Sequence, residues 1–402
     1  MKKLVLTIAI VLVVTFGATA QQSSQFFDNG QQPANNGDFL GGSRGSDHKL
    51  PGLPGHGGHG NADAPLGGGA PVTVQSMTNT DTRDVAATLA QIKALSAAGC
   101  DLVRFSVYDR LCVGAVRSLV DQSPVPLVAD IHFDYRLAIG AMENGIHKLR
   151  INPGNIGGME KVKMVADCAK MHHVPIRIGV NSGSLEKEIM EKYGGVTAQG
   201  MVESALKHAK LLEDTGFYDI VISLKASDVK TTVEAYRLAS QKCDYPLHLG
   251  VTEAGLPGSG TVKSAIGIGS LLLDGIGDTI RVSLTGDPVE EPGAALEILR
   301  ALKMREGISF VSCPTCGRTR IDVPGIAKRV KEEFKDVKSP VRVAVMGCVV
   351  NGPGEARGAD VALCGGDNCG ALYIHGQFIR KLNGDLAEEM IAAVKEYLHD
   401  IR

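Results

Sequence analysis

His147-Lys-Leu-Arg-Ile-Asn152, a helical-period segment over 156–171, then Ile176-Arg-Ile-Gly-Val-Asn181: in order, these residues describe a strand, a crossover helix and a second strand. Alternate positions of each short run are apolar, which gives each strand a face for a helix layer. On the other face of the first, Lys148, Arg150 and Asn152 stand two apart, and Arg177 and Asn181 share one face of the second. Buried parallel strands are ordinarily apolar on both faces. Polar residues facing inward therefore call for a ligand.

Working outward, the same unit recurs. Short apolar runs fall at 72–77, 102–107, 126–132, 219–225, 247–252 and 279–284, with helical-period segments at 85–98, 202–214, 229–241 and 262–273. Eight such units predict an α/β fold, an eight-stranded parallel (β/α)8 TIM barrel over 70–304. An open doubly wound sheet is the alternative, but no Gly-x-Gly-x-x-Gly follows the first strand to support it.

The inward alternation continues on the other strands. It picks out Arg104 and Ser106, Asp130 and His132, then Ser223, Lys225 and Ser227. His248 and Thr252 follow, with Glu253 next in the chain, and finally Arg281 and Ser283. In a barrel this face is the lumen, and its C-terminal mouth is where barrel enzymes keep their active sites. Several cations in a low-dielectric mouth repel one another unless an anion neutralises them. The planar fork of Arg suits phosphate oxygens, with Lys225 as a point charge beside them. The predicted ligand is a phosphate ester with two or more negative charges. Asp130 and Glu253 are carboxylates among these cations. They balance charge, or in the case of Glu253 handle a proton near the reacting carbon skeleton.

Beyond Leu302 the pattern changes to a small α+β domain over 305–402, with strands near 308–311, 341–345, 360–363 and 371–374 and helices near 326–334 and 386–398. It carries Cys313-Pro-Thr-Cys316 and Cys348-Val-Val-Asn-Gly-Pro-Gly-Glu355. Two thiols three residues apart form a clamp, and a third on a separate turn closes a metal site. No fourth cysteine stands at the same spacing beside Cys348, and Glu355 is the nearest acidic candidate. An open position of this kind suits chemistry better than structure. Cys-x-x-Cys alone also fits a redox dithiol or half a zinc ribbon, and Cys364 or Cys369 could complete a zinc site. The third cysteine in its Gly- and Pro-rich turn favours an iron–sulfur cluster.

The 402 residues and 44% hydrophobic content allow two domains with large cores. A net charge of −2 argues against nucleic acid or an acidic membrane surface as main partner. Nine scattered cysteines, an odd number, form no disulfide framework. Residues 1–20 resemble a secretory signal: Met1-Lys-Lys, an apolar run over 4–18, and Ala18-Thr-Ala20. The run is too short for a membrane span, and no stable membrane association is expected. Residues 21–69 are rich in Gly, Gln, Asn, Ser and Pro and are expected to be a disordered linker.

Val74-Gln-Ser-Met-Thr-Asn79, Val128-Ala-Asp-Ile-His-Phe-Asp-Tyr-Arg136, Leu149-Arg-Ile-Asn-Pro-Gly-Asn-Ile-Gly157, Ile176-Arg-Ile-Gly-Val-Asn181, His248-Leu-Gly-Val-Thr-Glu-Ala-Gly255 and the two cysteine motifs closely resemble the 4-hydroxy-3-methylbut-2-enyl diphosphate synthase family. The likeness runs from about Gly67 to the C-terminus. It implies reductive opening and dehydration of 2-C-methyl-D-erythritol 2,4-cyclodiphosphate in non-mevalonate isoprenoid synthesis, with flavodoxin or ferredoxin as electron donor. By matching position, Cys313, Cys316 and Cys348 bind a 4Fe–4S cluster and Glu355 its fourth iron. Arg104, Arg150, Asn152, Arg177, Ser223, Lys225 and Arg281 hold the diphosphate, and Glu253 serves the proton step. The resemblance also implies a homodimer, with the cluster domain of one subunit closing the barrel mouth of the other. Some relatives insert a large domain between barrel and cluster domain, and the short gap from Leu302 to Cys313 excludes it here. A redox sensor built on a labile cluster and a structural zinc ribbon are the competing readings, and neither needs a cationic mouth. Cluster assembly and reductant imply the cytoplasm. The signal-like leader contradicts that placement, so residues 1–66 read as a foreign or misassembled segment.

Overall fold

The computed structural model describes residues 66–350, 352–367 and 369–401. The signal-like segment and nearly all of the expected linker lie outside them. Eight parallel strands form the first sheet: β1 (Thr73–Met77), β2 (Leu102–Ser106), β3 (Leu127–Asp130), β4 (Lys148–Ile151), β5 (Ile176–Asn181), β6 (Ile220–Lys225), β7 (His248–Leu249) and β8 (Thr279–Ile280). The order β6-β5-β4-β3-β2-β1-β8-β7 brings β7 back beside β6, where a parallel bridge between Ile222 and Leu247 closes the ring.

Helices α1 (Val85–Ala97), α2 (Arg110–Gln122), α3 (Tyr135–Glu143), α4 (Met159–His172), α5 (Lys187–Tyr193), α6 (Ala198–Glu213), α7 (Val229–Lys242), α8 (Ser259–Leu273) and α9 (Glu290–Ala301) follow the strands in turn, with two after β5. Asp84, Asp109, Asp134 and Asp228 each accept a backbone N–H in the first turn of α1, α2, α3 and α7. These caps satisfy donors that the helix itself leaves open and fix the loops at the mouth. Apolar residues at alternate strand positions pack outward on the helices: Val103 and Phe105, Leu149 and Ile151, Ile176, Ile178 and Val180 all belong to one core with helix residues. The intervening residues belong to the lumen. At its lower end Leu66 packs on Leu102 and Val221, so the start of the described chain plugs the barrel floor.

The second sheet has five strands and its own core. Strands β9 (Ser309–Ser312), β10 (Arg342–Met346) and β11 (Val361–Gly366) are parallel. Strands β12 (Cys369–Ile374) and β13 (Gln377–Leu382) turn back antiparallel. Helices α10 (Val323–Glu333) and α12 (Leu386–Asp400) contribute to that core. The short α11 (Gly352–Ala356) contributes Ala356 to a smaller cluster with Ala344, Met346, Ala362 and Cys364. Among the described residues no helix is long and apolar enough to cross a membrane.

Candidate active site

The strands deliver a connected set of charges to the lumen. On β4, Arg150 donates through Nη1 to Asp130 Oδ1 at 3.0 Å and through Nη2 to the Gly179 carbonyl at 3.0 Å. Its guanidinium passes so close over β5 that a Cβ at Gly179 would lie 2.3 Å from Nε. Arg104 Nε is 3.6 Å from the other Asp130 oxygen, and its Nε and Nη2 also approach Met77 Sδ, at 3.1 and 3.0 Å. Arg177 donates to Gln75 Oε1 at 2.7 Å. Arg281 meets Glu291 through Nε and Nη2, both at 3.2 Å.

Lys225 Nζ lies 3.2 Å from His248 Nε2, and the other ring nitrogen lies 3.3 Å from Thr279 Oγ1. Lys225 is buried in a hollow left by Gly250, where a Cβ would fall 2.8 Å from Nζ. The seam between β6 and β7 has little ladder of its own. The fully buried Tyr236 of α7 spans it, accepting from the Leu224 N–H at 3.0 Å and donating to the His248 carbonyl.

Five cations, Arg104, Arg150, Arg177, Lys225 and Arg281, thus face two carboxylates, Asp130 and Glu291. Burial together with the neighbouring arginines pushes Lys225 and His248 well below their ordinary values. Arg177 is lowered well below its own by burial and by Arg104 and Arg150. Burial alone would raise the Asp130 carboxyl, but Arg104, Arg150, His132 and Arg177 outweigh it and hold it at about 2. An imbalance of this size in a buried space favours a polyanion. Asn152 Oδ1, Gln75 Nε2 and Arg177 Nη2 are buried without a hydrogen-bond partner among the described residues, which leaves both donors and an acceptor for a polar ligand.

Not every residue expected at the mouth is enclosed. Asn152 and Ser223 are buried; Asn181, Thr252 and Ser283 are half-buried at the rim. His132 and Ser227 lie past the ends of β3 and β6, with His132 against Arg150 at 3.2 Å and Ser227 exposed. Glu253 is exposed in the loop after β7, with φ of +53°. Non-glycine residues adopt that left-handed conformation rarely and at a cost, and such residues cluster at functional sites.

In the second sheet, Cys313 follows the C-terminal end of β9 and Cys348 that of its parallel neighbour β10. Cys313 Sγ accepts the Gly347 N–H at 3.0 Å. The backbone N–H of Arg318 draws the exposed Cys316 thiol below its ordinary range. For Cys316 this favours thiolate, the form that binds metal. Glu355 is exposed on α11. The donor set therefore fits a metal centre in chemistry and in strand-end placement. Among the described residues, no three His, Cys, Asp or Glu are gathered as a metal site. Cys364 lies buried beneath, its thiol pushed up to about 12 by burial, with Cys348 and Cys313 adding to it.

The sequence matches the GcpE TIM-barrel domain over residues 61–296 and the GcpE protein C-terminal domain over residues 309–397. It is 58% identical over 332 residues to the 4-hydroxy-3-methylbut-2-en-1-yl diphosphate synthase (flavodoxin) of Clostridium perfringens, covering 82% of this chain and 95% of that one. Synthases of the same name from Caldanaerobacter subterraneus and Geobacter sulfurreducens are each 56% identical, over 83% and 84% of this chain and 95% and 96% of theirs. The chain belongs to the GcpE family.

Three residues of this GcpE barrel escaped the strand-by-strand reading. Gln75 and Met77 obey the same two-residue alternation on β1, and applying it there would have found them. Glu291 lies on a helix, in the first turn of α9, where alternation along strands has no reach. It is nonetheless buried, and besides Arg281 it accepts from Ser76 Oγ at 2.6 Å and the Leu284 N–H at 3.2 Å. Asp130, expected among the ligand-binding groups, is engaged by two arginines.

Proposed function

We propose that this chain is an oxidoreductase of non-mevalonate isoprenoid biosynthesis, converting 2-C-methyl-D-erythritol 2,4-cyclodiphosphate to 4-hydroxy-3-methylbut-2-enyl diphosphate. Two electrons and two protons enter, a ring C–O bond breaks, and one water leaves. Reduced flavodoxin, the donor printed in the relatives' names, supplies the electrons, and ferredoxin is the alternative. The observation that carries this reading is the mouth itself, where five cations meet two carboxylates. A cyclic diphosphate supplies the missing negative charge.

Arg104, Arg150, Arg177, Lys225 and Arg281 bind the diphosphate oxygens, with Asn152, Ser223 and His248 completing the cradle. Asn181, Thr252, Ser283, His132 and Ser227 border it. Their fixed dipoles hold the substrate's reacting end toward the rim. Glu253 hands a proton to the departing oxygen, and its exposed rim position suits a group that must be reprotonated between turnovers.

Cys313, Cys316 and Cys348 hold a 4Fe–4S cluster, with Glu355 at the fourth iron. When bound, the cluster supplies the reducing electrons and a Lewis-acidic site. The working unit is a homodimer in which the cluster domain of one subunit covers the barrel mouth of the other. Supporting this, apolar residues stand exposed beside both halves of the chemistry: Val349 and Val350 next to Cys348, Phe133 next to His132, and Leu256 near Glu253. The reaction is placed in the cytoplasm, where cluster assembly and reduced donor coincide.

The test is anaerobic turnover of the cyclic diphosphate by the cluster-loaded protein with reduced flavodoxin. Formation of the linear diphosphate is expected. A loaded brown protein that binds no cyclic diphosphate overturns the reading.

A further inference from the structure

Behind the mouth, outside the set of residues assigned above, lies a further pair of titratable side chains. His208 of α6 is 2% exposed, and its Nε2 stands 3.0 Å from Oε1 of Glu186, in the connection between β5 and α5. Glu186 is itself held by Ser204 of α6, whose Oγ donates to Oε2 at 2.6 Å. The third participant is backbone. A Cβ at Gly154 would lie 2.4 Å from His208 Nε2, so the turn Pro153–Asn155 rests directly on the imidazole.

Two mouth loops therefore meet on one side chain. The first begins at Asn152, whose carbonyl accepts the Asn155 N–H at 2.9 Å and whose side-chain oxygen is buried without a partner. The second begins at Asn181, followed by the turn Ser182–Ser184 and then Glu186. Burial holds the His208 ring below its ordinary value against the opposing pull of Glu186. A neutral ring turns Nε2 to the carboxylate across this contact, and Glu186 Oε1 has no hydrogen-bond partner among the described residues. Nδ1 is likewise buried without a partner among the described residues; a second proton there would be an unsatisfied buried donor.

We infer that Glu186 and His208 are positioning residues that fix Asn152 and Asn181 at their places in the diphosphate cradle. They touch no substrate. Their effect reaches it through the two loops, so they govern how tightly the ground state is held and leave the chemical step alone. This inference rests on the proposed function, and the experiment separates the two.

Binding of 2-C-methyl-D-erythritol 2,4-cyclodiphosphate is measured by calorimetry without reductant, and KM and kcat by anaerobic turnover, for wild type, Arg150→Ala, His208→Phe, Glu186→Gln and Glu186→Asp. Losing the contact that joins the two loops is expected to raise Kd and KM about tenfold in His208→Phe and Glu186→Gln. The expected kcat is within about twofold of wild type, with partial recovery of Kd in Glu186→Asp. Wild-type Kd and KM in both variants overturn the inference, as does a fall in kcat at constant KM. Should His208→Phe fold poorly, Glu186→Gln decides alone, since it keeps the shape of the side chain. If wild type itself fails to bind the cyclic diphosphate, the proposed function is what falls. If wild type binds, Arg150→Ala does not, and both His208→Phe and Glu186→Gln match wild type, only the inference falls.

Discussion

Arg177 on β5 donates to Gln75 on β1 at 2.7 Å, across the full width of the barrel. These strands are not neighbours; three others separate them whichever way the ring is followed. The bond gives a buried guanidinium a hydrogen-bonded partner, while its Nη2 has none among the described residues. Gln75→Leu is therefore expected to destabilise the free protein by about 1–3 kcal/mol, the range for orphaning a buried polar group. Inorganic pyrophosphate, by supplying the missing acceptor, is expected to recover part of that loss. Urea denaturation with and without pyrophosphate checks both parts.

Asp130 predicts how the barrel responds to acid. Its carboxyl, at 3.8 in a free chain, is held at about 2 by the surrounding arginines. A depressed carboxyl stabilises the fold above its unfolded pKa and loses that contribution as pH falls through the folded one. The difference corresponds to about 2 kcal/mol, present at pH 5 and above and fading between about pH 4 and pH 2. In Asp130→Asn the stability profile over that window is expected to be flatter, and the variant less stable at neutral pH because two arginines lose their counter-charge. Denaturation midpoints from pH 2 to pH 7 measure it.

The mouth cations and Glu253 separate by what they change. Arg150→Ala and Lys225→Ala are each expected to weaken diphosphate binding by about 1.5–3 kcal/mol, as for a hydrogen bond to a charged group. Glu253→Gln is expected to spare binding and depress turnover. Its left-handed backbone adds a second signature. Glu253→Gly removes a conformational cost of about 1–2 kcal/mol, so thermal stability is expected to hold or rise while turnover falls. Loss of affinity alone in Glu253→Gln would reduce this residue to charge balance.

Removing Cys316 tests the metal assignment. Cys316→Ser is expected to lose the cluster while the barrel stays folded, because the two sheets have separate cores. Glu355→Ala is expected to be milder, keeping part of the cluster with reduced turnover, since in the proposed ligand set one iron alone would lose its ligand. Iron content and visible absorbance of anaerobic preparations, with far-ultraviolet circular dichroism for the fold, distinguish these outcomes. Full iron in Cys316→Ser would remove it from the ligand set.

The barrel was legible where side-chain alternation and backbone pairing coincide. On β5, residues 176–181 read as a strand and are one, because inward polar and outward apolar residues alternate to its last position. On β7 and β8 the six-residue runs shrink to two paired residues each. Past Leu249 the chain crowds its neighbour, so that a Cβ at Gly250 would lie 2.8 Å from the Arg281 carbonyl oxygen, and the regular ladder stops there. Strand β13 went unread because it is an edge with Leu382 as its one buried residue, so hydrophobic patterning has nothing to register. Glu291 was missed for a related reason: its partners Ser76, at the other end of the barrel sequence, and Arg281, in the loop before its helix, follow no local period. The cysteine motifs marked candidate metal ligands, but spacing along the chain does not specify how far apart the sulfurs stand, and among the described residues no three such ligands are gathered.

Gly179 and Gly250 are the negative image of Arg150 and Lys225. Each leaves out the atom that would collide with its neighbour's charge. A single methyl group at either position alters no charge and adds no polarity, yet it forces Arg150 or Lys225 to shift, and at Gly250 it also presses on the Arg281 carbonyl oxygen. Part of the ionic character of this site is therefore inherited through empty volume. Variation at these two uncharged positions is expected to be read by the substrate as the loss of an arginine or a lysine.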